Sequence, residues 1–135
     1  MAQENVETLK QGYEAFSKGD IETAFEPFDD NIEWIGVSEL LPAGGRFKGK
    51  KAVTEQWLGE VAENFESFTA NAEEFCDSGD YVFVLGTGSS KLKGGDSVES
   101  PFVHVWKFQD GKAISANFFT DSAQGLKALQ AAGKA

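Results

Sequence analysis

Apolar positions recur at the helical period from the start of the chain. Val6, Leu9, Tyr13 and Phe16 fall three and four residues apart, which predicts an amphipathic helix with these side chains on its buried stripe. Gly19 stops it and Asp20 caps a second, short helix carrying Ile21, Ala24, Phe25 and Phe28, with Pro27 keeping it brief. Asp29-Asp30-Asn31 reads as a turn and residues 32–37 as a strand. Residues 38–49 form a loop broken by Pro42, Gly44, Gly45 and Gly49. A third helix follows, its apolar stripe made of Val53, Trp57, Leu58, Val61 and Phe65.

From about residue 68 the period changes to two. The pattern predicts strands at 68–76, 81–90, 100–109 and 112–120, and a short final helix from Ser122. The last two strands are joined by Asp110-Gly111, a strong signal for a tight hairpin turn. Helices first and a meander of strands after them predict an α+β fold, with helices on one face of an antiparallel sheet.

The hairpin turn fixes an expected register. Gln109 faces Lys112, and counting outwards pairs His104 with Asn117 and Phe102 with Phe119. One face then carries Phe102, His104, Trp106, Phe108, Asn117, Phe119 and, one step on, Asp121. The other carries Val103, Val105, Lys107, Ile114, Ala116 and Phe118. Polar groups set into an aromatic wall are the makings of a ligand pocket. His104 is the only histidine, a residue type able to give or take a proton near neutrality, and Asn117 is placed to hold one of its tautomers. Asp121 lies four positions beyond Asn117, ~13 Å along the strand, so it flanks a ligand rather than bonding His104; it can also simply cap the last helix. Tyr13, Trp34, Trp57, Phe102, Trp106 and Phe119 complete the expected ligand-binding set, and core packing is the alternative role for each.

Composition narrows the function. The 135 residues hold 12 basic and 22 acidic side chains, a net charge of −10, which argues against nucleic-acid or anionic-lipid partners. The length suits a single domain over residues 1–135. No apolar run suits a membrane span and no secretory signal is visible, so a cytoplasmic protein is expected. One cysteine and one histidine leave no usual zinc site, and phosphate-binding loops and the nucleophile elbow are missing, so neither metal nor cofactor is expected.

The ordered pieces Tyr13-Glu14-Ala15-Phe16-Ser17-Lys18-Gly19-Asp20, Asp30-Asn31-Ile32-Glu33-Trp34, Phe47-Lys48-Gly49, Ala52-Val53, Phe102-Val103-His104-Val105-Trp106, Asp110-Gly111-Lys112 and Asp121 resemble the SnoaL-like branch of the nuclear transport factor 2-like superfamily. The resemblance spans about residues 4–130. It implies a cone-shaped, cystatin-like α+β fold: a curved antiparallel sheet wrapped around the N-terminal helices and enclosing one apolar pocket. It implies a homodimer formed through the outer sheet face, for which Val103, Val105, Ile114, Ala116 and Phe118 are the expected patch.

The implied chemistry is that of cofactor-independent isomerases, cyclases, lyases and hydrolases. Ketosteroid isomerases carry an Asp base on the first strand, where this chain has Trp34, which speaks against steroid isomerisation. Their acid on the penultimate strand falls close to His104. In SnoaL-type cyclases an acid at the end of the last strand does the proton transfer, and Asp121 matches that place. The Arg-and-paired-Asp set of epoxide hydrolases is missing, since the only arginine, Arg46, lies in the loop.

The expectation is a pocket for a small, apolar, carbonyl-containing ligand. His104 and Asp121 are its candidate acid–base residues, and burial is expected to raise the Asp121 pKa. A non-catalytic hydrophobic ligand-binding module and a dimeric association domain are the alternatives. Loop 38–49 is either a lid or an ordinary connection with apolar anchors.

Overall fold

The computed structural model describes residues 2–133. Helices α1 (Ala2–Ser17) and α2 (Ile21–Phe25) come first, then strands β1 (Phe28–Ile35) and β2 (Arg46–Lys48). A helical stretch follows in three pieces: α3 (Lys50–Ala52), a π-helical turn (Val53–Trp57) and α4 (Leu58–Asn64). The long strands β3 (Phe65–Ser78), β4 (Tyr81–Leu92), β5 (Ser97–Gln109) and β6 (Lys112–Thr120) lead to α5 (Ser122–Ala131).

The six strands form one curved, unclosed sheet in the order β2-β1-β6-β5-β4-β3. Neighbours are antiparallel except β1 and β6, which run parallel. The α+β class and the cone-like wrapping follow the expectation; the parallel pair departs from an all-antiparallel sheet. The parallel pair arises because β6, the last strand of the meander, docks beside β1 and runs in the same direction.

Local boundaries have simple causes. The Asp20 side chain accepts a hydrogen bond from the Thr23 N–H and starts α2. Pro27 follows α2, so Phe28 is the first residue of β1 rather than the last of a helix. Phe65 likewise opens β3, not a helix end. Asp110 and Gly111 both have positive φ (51° and 79°), the geometry of the two-residue turn. Gly86 permits a close approach in mid-sheet: a Cβ there would collide with the Asn71 carbonyl and the Phe102 ring.

One residue changes the hairpin. Gln109 pairs with Lys112 and Phe108 with Ala113, as expected, but Lys107 then pairs with Ser115. Ile114 is bulged, and every later partner moves by one: Trp106 with Ala116, Val105 with Asn117, His104 with Phe118, Phe102 with Thr120. The parallel neighbour β1 breaks register beside it, between Phe28 and Glu33. A one-residue slip reverses the faces of a strand. The expected pairing of His104 with Asn117 is therefore replaced, and Phe118 takes the place beside the imidazole. The expected dimer patch changes too. Ala116 is fully buried and Phe118 packs on the core, whereas Phe119 is 58% exposed on the outside.

The core fills the concave side of the sheet. Ile32, Val53, Val82 and Val84 are completely enclosed, each worth about 1.5–3 kcal/mol of burial. Phe25, Phe28, Trp34, Trp57 and Trp106 form one continuous aromatic cluster between the helices and the sheet.

Candidate functional site

A cavity of about 240 Å³ opens inside the cone. Tyr13 and Phe16 of α1, Trp34 of β1, Trp57 of the π-helical turn, Phe102, His104 and Trp106 of β5, and Phe118 of β6 line it. Residues 41–43 of the loop and Asp121, Gly125 and Ala128 around α5 also line it, with Leu41 resting on Gly125. No Lys, Arg or Glu is among the lining residues.

At its centre three side chains from distant segments form a chain of hydrogen bonds. The Trp106 Nε1–H donates to the Tyr13 hydroxyl oxygen at 3.0 Å. The Tyr13 hydroxyl stands 2.5 Å from His104 Nδ1. An indole N–H can only donate, so the phenol oxygen accepts from Trp106, and its own O–H, which has no other acceptor among the described residues, donates to Nδ1. The network thus assigns His104 the tautomer with its proton on Nε2. That nitrogen has no protein partner among the described residues and is not sealed from the cavity that His104 lines.

The surroundings keep the chain neutral. Burial pushes the His104 pKa down to about 3. Burial raises the Tyr13 hydroxyl well above the ordinary phenol range, and the Trp106 hydrogen bond only partly opposes it. Phe102 stacks on the imidazole at 3.9 Å with an interplanar angle of 12°, and Phe118 meets it edge-on at 4.7 Å. His104 is therefore a rigid, uncharged hydrogen-bond donor facing an apolar space.

Of the residues singled out from the sequence, Tyr13, Trp34, Trp57, Phe102, His104 and Trp106 come together around this cavity. Asn117 does not: it lies on the outer face beside Val105, because of the bulge at Ile114. Phe119 is exposed and touches the cavity only at its rim. Asp121 is also a rim residue, and the expected buried carboxylate is not found there. It is exposed, and its oxygens accept from the Gln124 backbone N–H at 3.2 Å and the Gln124 side chain at 3.1 Å, capping α5. The sequence reading missed Phe118. A sequence signal for it exists: only a bulge puts Ser115 and Asn117 on the solvent side together with Lys107. No cluster of His, Cys, Asp and Glu among the described residues could hold a metal ion, and Cys76 is exposed.

Solved structures share this architecture. A protein of unknown function from Burkholderia pseudomallei, described as nuclear transport factor 2-like, superposes with a TM-score of 0.87 at 26% identity, over 95% of this chain and 98% of that one. TerC, co-crystallised with polyporic acid, superposes with a TM-score of 0.86 at 26% identity, over 94% and 98%. A SnoaL-like polyketide cyclase candidate from Jannaschia shares the fold, with a TM-score of 0.78 at 20% identity over 96% and 93%. Comparison with curated proteins gives no match. The model of the SnoaL-like domain matches residues 9–116, and the chain belongs to that family.

Proposed function

We propose that the protein binds a small, flat, apolar carbonyl compound and that His104 donates its Nε2–H to the carbonyl oxygen. The observation that supports this reading is the Trp106–Tyr13–His104 chain, which leaves the uncharged Nε2–H of His104 without a protein partner in a cavity lined mainly by rings and aliphatic groups, with a few Ser and Thr residues among them. A donor of this kind strengthens its bond as negative charge develops on the oxygen, which serves enolisation, cyclisation and elimination without a cofactor. TerC, whose crystals contain polyporic acid, supports the same ligand class. Asp121 is the one carboxylate among the lining residues, and its capping role favours a second reading, in which the cavity holds the ligand without turning it over. The partner in either reading is a second copy of the chain, docked on the outer sheet face.

The test is a thermal-shift titration with α-tetralone, a bicyclic ketone. Wild type is expected to gain several degrees in Tm, and His104→Phe, which keeps the ring and removes the donor, to lose most of that gain. Equal shifts in both proteins would sink the carbonyl reading. Release of product from a panel of enolisable ketones separates enzyme from binding module.

A further inference from the structure

Leu41 of the loop and Gly125 of α5 meet where the cavity borders solvent. Both line the cavity, and both stand beside exposed residues. Leu40 is 70% exposed, and the exposed Phe119, Thr120 and Asp121 lead into α5. A methyl group on Gly125 would stand 3.0 Å from Leu41 Cδ1 and 3.6 Å from Cδ2, so the leucine fills the notch that the missing Cβ leaves in the helix. Glycine inside a helix is unfavourable relative to alanine, because more backbone freedom is lost on fixing it. A seat for Leu41 is what glycine supplies at this place.

The two sides of the contact are held differently. Helix α5 is anchored: Asp121 caps its first turn and Leu129 is buried. The loop is tied at its feet. The Gly36 N–H donates to the Gly45 carbonyl and the Gly45 N–H to the Val37 carbonyl, both at 2.8 Å, and the Ala43 N–H donates to the Glu60 carboxylate at 3.2 Å. Between these ties the tip bonds only within the loop: the Leu40 N–H donates to the Ser38 hydroxyl and the Leu41 N–H to the Ser38 carbonyl. Among the described residues no hydrogen bond or ion pair joins the loop to α5. Leu41 can therefore leave Gly125 at the cost of apolar contact alone, which is how a low-stability opening element is built.

We propose that Leu41 is the gate of the ligand cavity: it closes against Gly125 in the resting protein and swings clear, with the loop tip, to admit and release a small apolar molecule. The gate acts on any apolar occupant, so it stands apart from the carbonyl reading. Removing the leucine raises the open fraction of the empty and the loaded protein alike. Entry and exit then accelerate together and affinity is nearly kept. A leucine that served only as wall would show its loss in faster release alone.

All three tryptophans of the chain, Trp34, Trp57 and Trp106, are buried and line the cavity, so their fluorescence reports its opening. Acrylamide, a small neutral quencher, is the first probe. Leu41→Ala is expected to raise its quenching constant at least about three-fold. Leu41→Met, which keeps a long apolar side chain, and Leu40→Ala, which changes the exposed neighbour, are expected to stay within about 1.5-fold of wild type. Stopped-flow mixing with α-tetralone is the second measurement. In Leu41→Ala both rate constants are expected to rise about ten-fold, with Kd changed by less than about three-fold.

Equal quenching of wild type and Leu41→Ala overturns the proposal. So does an equal rise in Leu40→Ala, or a loss of affinity carried by the dissociation rate alone. If α-tetralone does not bind, the carbonyl reading falls and the acrylamide comparison still decides the gate. If Leu41→Ala melts below the assay temperature, Leu41→Val, shorter by one carbon, takes its place and is held to a rise of at least about two-fold.

Discussion

The inner and outer faces of the β5–β6 hairpin are both rich in apolar side chains, but they use them differently. On the inner face Phe102, Trp106, Phe108, Ala113 and Ala116 are buried, and the polar atoms of Trp106, Tyr13 and His104 satisfy one another. On the outer face Leu85 lies beside Val103 and Val103 beside Phe119, while Phe83 lies beside Val105. Phe83 and Phe119 there are 37% and 58% exposed, and Tyr81 lies under the Lys107 ammonium, 5.5 Å from its ring centroid. The inner face is finished by its own chain except at the cavity beside His104. The outer face keeps Tyr81, Phe83 and Phe119 exposed. A strip of aromatic and branched residues on a sheet is a surface suited to another sheet.

The largest effect is expected where the inner face is broken. Trp106→Ala removes a buried ring and the donor that orients Tyr13. Urea unfolding is expected to show a loss of about 3–5 kcal/mol. A loss under 1 kcal/mol would mean that the cluster repacks and that the hydrogen-bond chain is not held by Trp106.

An intermediate effect is expected from pH, and its sign follows from His104. The imidazole has a pKa of about 3 in the folded chain against 6.5 unfolded. Below 6.5 the unfolded chain takes up a proton that the folded one refuses. The stability contributed by this group is complete above 6.5 and lost as pH falls towards 3, at about 1.4 kcal/mol per pH unit. The carboxylates titrate in the same window, so the measurement is the difference between wild type and His104→Phe at each pH. A flat difference between pH 6.5 and 4 would mean that His104 is open to water and charges freely. Ligand binding through the neutral donor is expected to be independent of pH from about 6 upwards, until Tyr13 ionises far into the alkaline range.

The two faces also differ in how far the sequence reveals them. Helix α1 announces itself through the spacing of Val6, Leu9, Tyr13 and Phe16, and the Asp110-Gly111 turn fixes the first two pairs of the hairpin. The inward set on β5 follows from alternation alone. What alternation cannot carry is an inserted residue. Ile114 is as β-compatible as its neighbours, and only the match of Lys107 with Ser115 across the strands shows that it has been set aside. Asn117 and Phe119 therefore exchange sides with Ala116 and Phe118. The link from Tyr13 to His104 joins residues 91 positions apart, and no local pattern encodes it. Asp121 was legible in both its roles, and the cap is the one the geometry fills.

The smallest effect on the folded chain is expected on the outer face, where it sharpens the comparison most. Phe119→Ser replaces a ring that is 58% exposed, so the stability of a monomer should change by less than about 0.5 kcal/mol. If the face is the contact between two copies, the same change places two hydroxyls in the interface and removes two rings from it, one per copy. Sedimentation velocity over a dilution series is then expected to show wild type as a dimer and the variant shifted towards monomer at least ten-fold in dissociation constant, with α-tetralone binding retained. A wild type that sediments as a monomer at every concentration would remove the second copy as the cover of this face. A variant that loses ligand binding together with the dimer would show that the faces are coupled through Phe118 and its neighbour. The division of labour between them would then fail, because the outer contact would be holding the inner wall in place.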